Sequence, residues 1–221
     1  MPEPLKRRIY ERLAHVPKAL ASARRLELVD LLAQAEKSVE TLARESGQSV
    51  ANASQHLQQL RRAGLVEVRR DRTYGYYRLA GDDVLRLWQA VRALGEARLA
   101  DMDRLLDELH PGGGEPAPLT MDELRDHLAR GGTVLLDVRP SDEYHAGHIP
   151  GALSVPVDEL PERIHELPDD AEVVAYCRGP YCVFSDEAVA LLRAHGIPAA
   201  RLQEGFPDWR AAGLPTEGSP A

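Results

Sequence analysis

The two cysteines of this 221-residue chain stand five positions apart, in Val173-Val174-Ala175-Tyr176-Cys177-Arg178-Gly179-Pro180-Tyr181-Cys182. A short apolar run of β type stops at Cys177, a loop with an Arg, a Gly and a Pro follows, and a helical pattern runs from Val183 to Gly196. A strand–loop–helix of this kind turns backbone N–H groups and a helix N-terminus toward one thiol, which lowers its pKa and holds an anion beside it. The chemistry expected is that of a thiolate nucleophile at Cys177. Arg178 is expected to add positive charge and orient an anionic donor, and Gly179, Pro180, Tyr181 and Val183 to line the cradle. Cys182 is either a resolving thiol for whatever forms on Cys177 or a small buried residue without reactivity. Two cysteines are too few for a disulfide framework, so a reducing, cytoplasmic setting is expected.

The elements around this loop read as an open parallel α/β sheet, whose sites lie at the carboxyl ends of strands. Thr120 to Glu123 forms a capping box, Thr133 to Val138 a buried strand, and Ser141 to Tyr144 a helical turn. Strands at 172–176 and 200–202 follow, with a helix over 183–195 between them. Asp137, Arg139 and His148 are expected to order neighbouring loops rather than to carry chemistry. Ahead of these elements, His110 to Pro118 is a Gly/Pro-rich stretch that reads as a linker. We therefore expect domains at 1–110 and 119–217 with a linker at 111–118.

Charge divides the same way. Ahead of residue 112 there are 19 Lys and Arg against 16 Asp and Glu; behind it, 8 against 19, together making the 27 and 35 of the whole chain. The net charge of −8 thus hides a mildly basic front half, and the asymmetry suggests two modules with different partners. The front half reads as helices over 5–13, 19–32 and 39–45, the last capped by Ser38, then a helix capped by Ser49. In that helix Val50, Ala53, Leu57 and Leu60 are expected to face the core, with Ala51, Asn52, Ser54, Gln55, Gln58 and Arg62 outside. A hairpin follows, its tip carrying Arg69, Arg70 and Arg72. Helix, helix and hairpin in this order make a winged helix-turn-helix that reads double-stranded operator DNA. A single helix over 82–110, with apolar residues near heptad spacing, is expected to form a homodimer together with the first helix. His15, His56 and His110 are scattered singly, so no metal or other cofactor is expected, and no apolar run reaches the ~20 residues of a membrane span.

The segment Gln48-Ser49-Val50-Ala51-Asn52-Ala53-Ser54-Gln55-His56-Leu57 through Gly64-Leu65-Val66 and the Tyr-rich wing resembles the ArsR family of dimeric winged-helix repressors. The resemblance implies operator binding by Asn52, Ser54, Gln55 and their neighbours, with release when an effector binds. Asp137-Val138-Arg139, Glu143-Tyr144, Gly147 to Ala152, the strand-end Cys177 and Gly205-Phe206-Pro207-Asp208-Trp209 resemble the rhodanese domain. That implies a parallel five-stranded sheet and transfer of sulfane sulfur, from a donor such as thiosulfate or polysulfide, through a persulfide on Cys177. Catalytic rhodaneses commonly carry Arg or Lys at the last loop position, where this chain has Cys182. The departure favours a sulfur-responsive regulator over a fast sulfurtransferase with an uncoupled DNA-binding domain. Oxyanion binding of arsenate type in the same loop is the third reading.

Overall fold

A computed structural model describes residues 4–72, 74–110, 117–168 and 172–218. The chain divides into two compact units, residues 1–91 and 92–221. The sequence-expected linker falls largely on 111–116, outside the described residues.

In the first unit, α1 (Leu5–Leu13), α2 (His15–Leu20) and α3 (Ala23–Gln34) precede a short strand β1 (Lys37–Ser38). The helix expected over 19–32 is interrupted: Ala21 and Ser22 leave helical geometry, and the guanidinium of Arg25 takes the carbonyls of Ala19 and Lys18 at the end of α2. A charged donor there satisfies acceptors that a continuous helix would bond internally. Then come α4 (Val39–Glu45) and α5 (Val50–Arg62), each started by the serine expected: Ser38 accepts from Thr41 N at 3.1 Å and Ser49 from Asn52 N at 3.2 Å. Gly47, at φ 61°, makes the left-handed turn out of α4 that a side chain resists. Ala53, Leu57 and Leu60 are fully buried, but Val50 is 47% exposed. It sits at the first position of α5, a turn beyond the end of the packed stripe.

Strands β2 (Val66–Asp71) and β3 (Tyr74–Leu79) form the hairpin, and β3 lies between β1 and β2 in an antiparallel sheet. Arg72, at φ 53°, turns the tip. Helix α6 (Asp82–Arg98) begins by burying Val84, Leu85 and Trp88, whose indole N–H donates to Asp30 of α3 at 2.9 Å. The single helix expected over 82–110 is two: α6 ends at a turn in which Met102 N donates to Leu99 O, and α7 (Met102–Leu109) follows. Residues 99–101 therefore reset the helical phase, so the heptad stripe is not one straight seam.

The second unit has α8 (Met121–Arg130), β4 (Thr133–Asp137), α9 (Ser141–Ala146), β5 (Leu153–Ser154) and α10 (Leu160–Arg163), which runs into a 3-10 turn. They are followed by β6 (Glu172–Tyr176), α11 (Phe184–Ala194), β7 (Ala199–Arg201) and α12 (Phe206–Ala211). The sheet is parallel, in the order β5-β4-β6-β7. It has four strands where five were expected. Leu119 makes one parallel bridge to Leu202 at the β7 edge, in the place of a fifth strand. That strand cannot lengthen, because Pro118 has no N–H to donate and Thr120 is already the cap of α8, with its capping box to Glu123 complete.

Alternation along β6 shows how the sheet is covered on both faces. Val173, Ala175 and Cys177 pack with Leu136, Ala188 and Leu192 in one apolar layer, while Val174 and Tyr176 pack with Leu124, Phe206 and Trp209 in the other. Cys177 thus ends the strand on the face covered by α11.

Candidate functional site

The strands deliver two neighbouring loop starts. Asp137 of β4 pairs with Tyr176 of β6, so Val138-Arg139 and Cys177-Arg178 leave the sheet side by side. Cys177 is 3% exposed, and its carbonyl accepts from Phe206 N at 3.3 Å. Its sulfur lies 3.3 Å from Ser185 Oγ, 3.5 Å from Cys182 O and 3.9 Å from Gly179 O. Gly179, at φ 140°, has a conformation that other residues rarely adopt, and the turn is closed by Cys182 N donating to Gly179 O at 3.1 Å. Gly205 packs so closely that a Cβ there would meet the backbone of Arg178 and Gly179. The loop is therefore held tightly from its far side.

Burial opposes ionisation of Cys177, but hydrogen bonds from the Cys182 thiol, the Gly179 backbone, and the Ser185 hydroxyl and backbone outweigh it. The net effect brings the thiol down from 9.0 to about 6. Cys182 moves the opposite way, chiefly because its proton is held by Cys177, and further because it is buried. The two shifts run in opposite directions, so Cys177 is the member of the pair that ionises more readily and Cys182 the one that keeps its proton.

Arg178 departs from the role expected of a free cation. Its guanidinium meets the fully buried carboxylate of Glu143 in α9, Nε to Oε2 at 3.0 Å and Nη2 to Oε1 at 2.5 Å, and lies over the Phe184 ring. Its charge is largely matched before any donor arrives. Among the cradle residues, Pro180 has no N–H, and its carbonyl lies 2.7 Å from His110 Nε2. The Tyr181 hydroxyl donates to Glu96 at 2.7 Å, and Val183 leads into α11. Ser185, in the first turn of α11, had no place in the sequence reading; a hydroxyl directly after a cysteine loop at a helix start is the signal that would have found it.

Asp137 and Arg139 form a fully buried pair, Nε to Oδ1 at 3.0 Å and Nη2 to Oδ2 at 2.6 Å. Arg139 also donates to Gly147 O at 2.7 Å and lies between the Tyr176 and Phe206 rings. It ties the loop after β4 to the loop after α9. His148 stacks on Tyr144 with centroids 3.7 Å apart, its Nδ1 is 2.9 Å from Tyr144 O, and its backbone pairs with Glu217. These partners engage His148 in holding a loop. Among the described residues no group of three or more His, Cys, Asp and Glu is arranged to hold a metal ion, and no helix is long and apolar enough to cross a membrane.

In the first unit, Ala51, Asn52, Gln55 and Arg62 are exposed along α5, with Ser54 and Gln58 half-buried and Gln58 Nε2 donating to the Tyr77 hydroxyl at 3.2 Å. On the wing, Arg70 and Arg72 are exposed. Arg69 is held by Glu36, Nε to Oε1 at 3.0 Å, and lies over the Tyr76 ring.

Helix, turn, helix and hairpin in one unit, and a parallel sheet ending in a cysteine loop in the other, define a winged-helix regulator that carries a rhodanese-type domain. Residues 22–68 match the bacterial regulatory protein, arsR family, and residues 120–212 match the rhodanese-like domain. The chain is 46% identical over 213 residues to the HTH-type transcriptional regulator Rv0324 of Mycobacterium tuberculosis, covering 96% of this chain and 93% of that one. It is 46% identical over 107 residues to human thiosulfate:glutathione sulfurtransferase, covering 41% of this chain and 90% of that enzyme. The solved homodimeric winged helix-turn-helix DNA-binding domain of Mb0332 from Mycobacterium bovis is 43% identical, covering 45% of this chain and 92% of that one, with a TM-score of 0.42. The chain belongs to the ArsR family of transcriptional regulators and carries a C-terminal rhodanese-like domain.

Proposed function

We propose that this regulator responds to reactive sulfur: Cys177 accepts a sulfane sulfur, and the modified loop alters how a homodimer binds operator DNA. The observation that carries the reading is the placement of Cys177 at the carboxyl end of β6, its sulfur 3.3 Å from Ser185 Oγ and 3.5 Å from Cys182 O, with its thiol pKa lowered and that of Cys182 raised. With thiosulfate, the Cys177 thiolate attacks the sulfane sulfur, the S–S bond of the donor breaks, and sulfite leaves with its electron pair, giving Cys177–S–S⁻. Cys182 then attacks the Cys177 sulfur; the terminal sulfur leaves with the Cys182 proton as HS⁻, and a Cys177–Cys182 disulfide remains. Polysulfide enters the same sequence with a shortened polysulfide as leaving group.

DNA contact is assigned to Ala51, Asn52, Ser54, Gln55, Gln58 and Arg62 of α5 and to Arg70 and Arg72 of the wing, with Arg69 a lesser contributor because Glu36 already pairs with it. Exposed Leu5, Ile9 and Leu13 on α1 are apolar surface that a second copy would cover, and exposed Leu94, Leu105 and Leu109 on α6 and α7 are, separately, further candidates for such cover. The homodimeric Mycobacterium bovis domain is in keeping with this, and residues 1–110 are taken as the DNA-binding and dimerisation part. Likeness to a human sulfurtransferase supports the sulfur chemistry; sustained turnover is the second reading, and the matched charge of Arg178 disfavours it.

The test is titration of fluorescent duplex DNA, selected by the reduced protein from a random pool, before and after polysulfide treatment, with intact mass measured in parallel. Wild type gains sulfur or loses two hydrogens, and its DNA affinity shifts by about 5- to 150-fold. Cys177→Ser does neither. An equal response in both proteins overturns the proposal.

A further inference from the structure

Two consecutive residues of the cysteine loop are hydrogen-bonded by one short segment that precedes the rhodanese-like match, and a third lies beside it. A side chain at Gly179 would come within 3.8 Å of Arg92 Nη1 and 3.6 Å of Asp208 Oδ2, and Arg92 itself pairs with Asp208 at 2.5 Å. The Pro180 carbonyl lies 2.7 Å from His110 Nε2, whose Nδ1 is 2.9 Å from Asp186 of α11. The Tyr181 hydroxyl donates to Glu96 at 2.7 Å. Arg92, Glu96 and His110 all lie between residues 92 and 110, outside both family matches, 22–68 and 120–212. Two of them stand on α6, the helix whose first half buries Val84, Leu85 and Trp88 and receives the Trp88–Asp30 hydrogen bond.

We infer that residues 92–110 are the reader of the cysteine loop: Glu96 and His110 grip Tyr181 and Pro180 in the reduced protein, with Arg92 and its partner Asp208 beside Gly179, and loading of Cys177 loosens that grip. The inference rests on the sulfur-responsive reading proposed above. The geometry makes the contacts sensitive to loading. The Cys177 sulfur has polar neighbours at 3.3, 3.5 and 3.9 Å, two of them loop carbonyls that repel the negative charge a persulfide brings, so loading with a further sulfur bonded at about 2 Å pushes the loop carbonyls away. Cys177 directly follows a strand locked into the sheet, and Gly205 packs against the loop backbone at Arg178 and Gly179. The displacement therefore falls on 179–182, the stretch that Glu96 and His110 hold and Arg92 lies beside. Arg92 follows directly on Val91, the last residue of the unit that holds α5 and the wing, so a change over 92–110 reaches that unit through the chain itself.

The experiment compares full-length wild type with the double variant Glu96→Ala, His110→Ala. Intact mass reads the sulfur load, hydrogen exchange reads peptides over 92–110, and titration reads affinity for the duplex selected by the reduced wild type. Loaded wild type is expected to lose protection over 92–110 and shift its DNA affinity by about 5- to 150-fold. The double variant takes the same sulfur load, has low protection over 92–110 before loading, and shifts its affinity by less than about twofold. Loaded wild type with unchanged protection there overturns the inference, as does a double variant whose affinity shifts as far as wild type. If polysulfide leaves no modification on Cys177, the proposed function falls, and alkylation of Cys177 by iodoacetamide then tests the reader alone. Protection lost over 92–110 upholds it, and unchanged protection overturns it.

Discussion

Replacing Cys182 by Ala removes the hydrogen bond that most favours the Cys177 thiolate, and the consequence should be read in the pH dependence of Cys177 reactivity. With the thiol at about 6, roughly nine-tenths is thiolate at pH 7; at the ordinary 9.0 only about one-hundredth is. Nucleophilicity falls with pKa, however, and a Brønsted slope of about 0.4–0.5 takes back about 20-fold over three units. At pH 7 the two effects nearly cancel, leaving wild type about fourfold faster than an ordinary thiol. At pH 5 the thiolate fractions differ by about a thousandfold, so the net advantage is about 50-fold. Low pH is where the pair matters.

The assay is the rate of carbamidomethylation of Cys177 by iodoacetamide from pH 4.5 to 9.5, chosen because alkylation needs no second thiol. Wild type should level off above about pH 7 and fall about tenfold per unit below 6. Cys182→Ala should move the inflection up, lower the rate at pH 5 by up to about 50-fold, and raise it at the alkaline end. Hydrogen bonds from Gly179 and Ser185 remain, so the inflection stops short of 9.0. Cys182→Ser, which keeps a donor, should move it less. An inflection still near 6 in Cys182→Ala would refute the argument that the second thiol ionises the first.

The wing separates two kinds of arginine: Arg70→Ala and Arg72→Ala should each weaken DNA binding and reduce the salt slope by about 1, whereas Arg69→Ala, already paired with Glu36, should change it less. An equal loss at all three positions would contradict that ranking. Glu143→Ala strips the largely buried Arg178 of its carboxylate and should destabilise the second unit by about 3 kcal/mol, read as hydrogen exchange in β6 against urea; an unchanged profile would contradict it.

Much of this molecule is written locally. Ser38, Ser49 and Thr120 cap the helices they precede because a cap needs only its own turn, and the hairpin alternates over adjacent residues. The strand-end cysteine is legible for the same reason, since strand, loop and helix are contiguous. What the sequence does not show is set by distance along the chain. Glu143 is 35 residues from Arg178, and Glu96 is 85 from Tyr181; no spacing rule connects them. The break between α6 and α7 is invisible to a periodicity count, because the apolar residues continue through Leu99 while the backbone turns. The missing fifth strand had a local cause, Pro118 beside a cap at Thr120, which the family pattern overrode.

The placement of Cys182 bears on which reading of the sulfur chemistry is the more economical. A lysine or arginine at the end of the loop would favour the thiolate through charge, and that charge would persist after every transfer, as turnover requires. Here the donor is itself a thiol, and its help ends when it reacts. In the proposed sequence Cys182 closes on Cys177 with HS⁻ as the leaving group, so the nucleophile and its activator would be consumed together and the loop would stay changed until another thiol reduced it. Arg178 does not supply the missing cation, because Glu143 already matches its charge. On the reading proposed above, a site with these parts reacts once and remains altered, which suits a sensor coupled to a DNA-binding domain better than it suits a transferase.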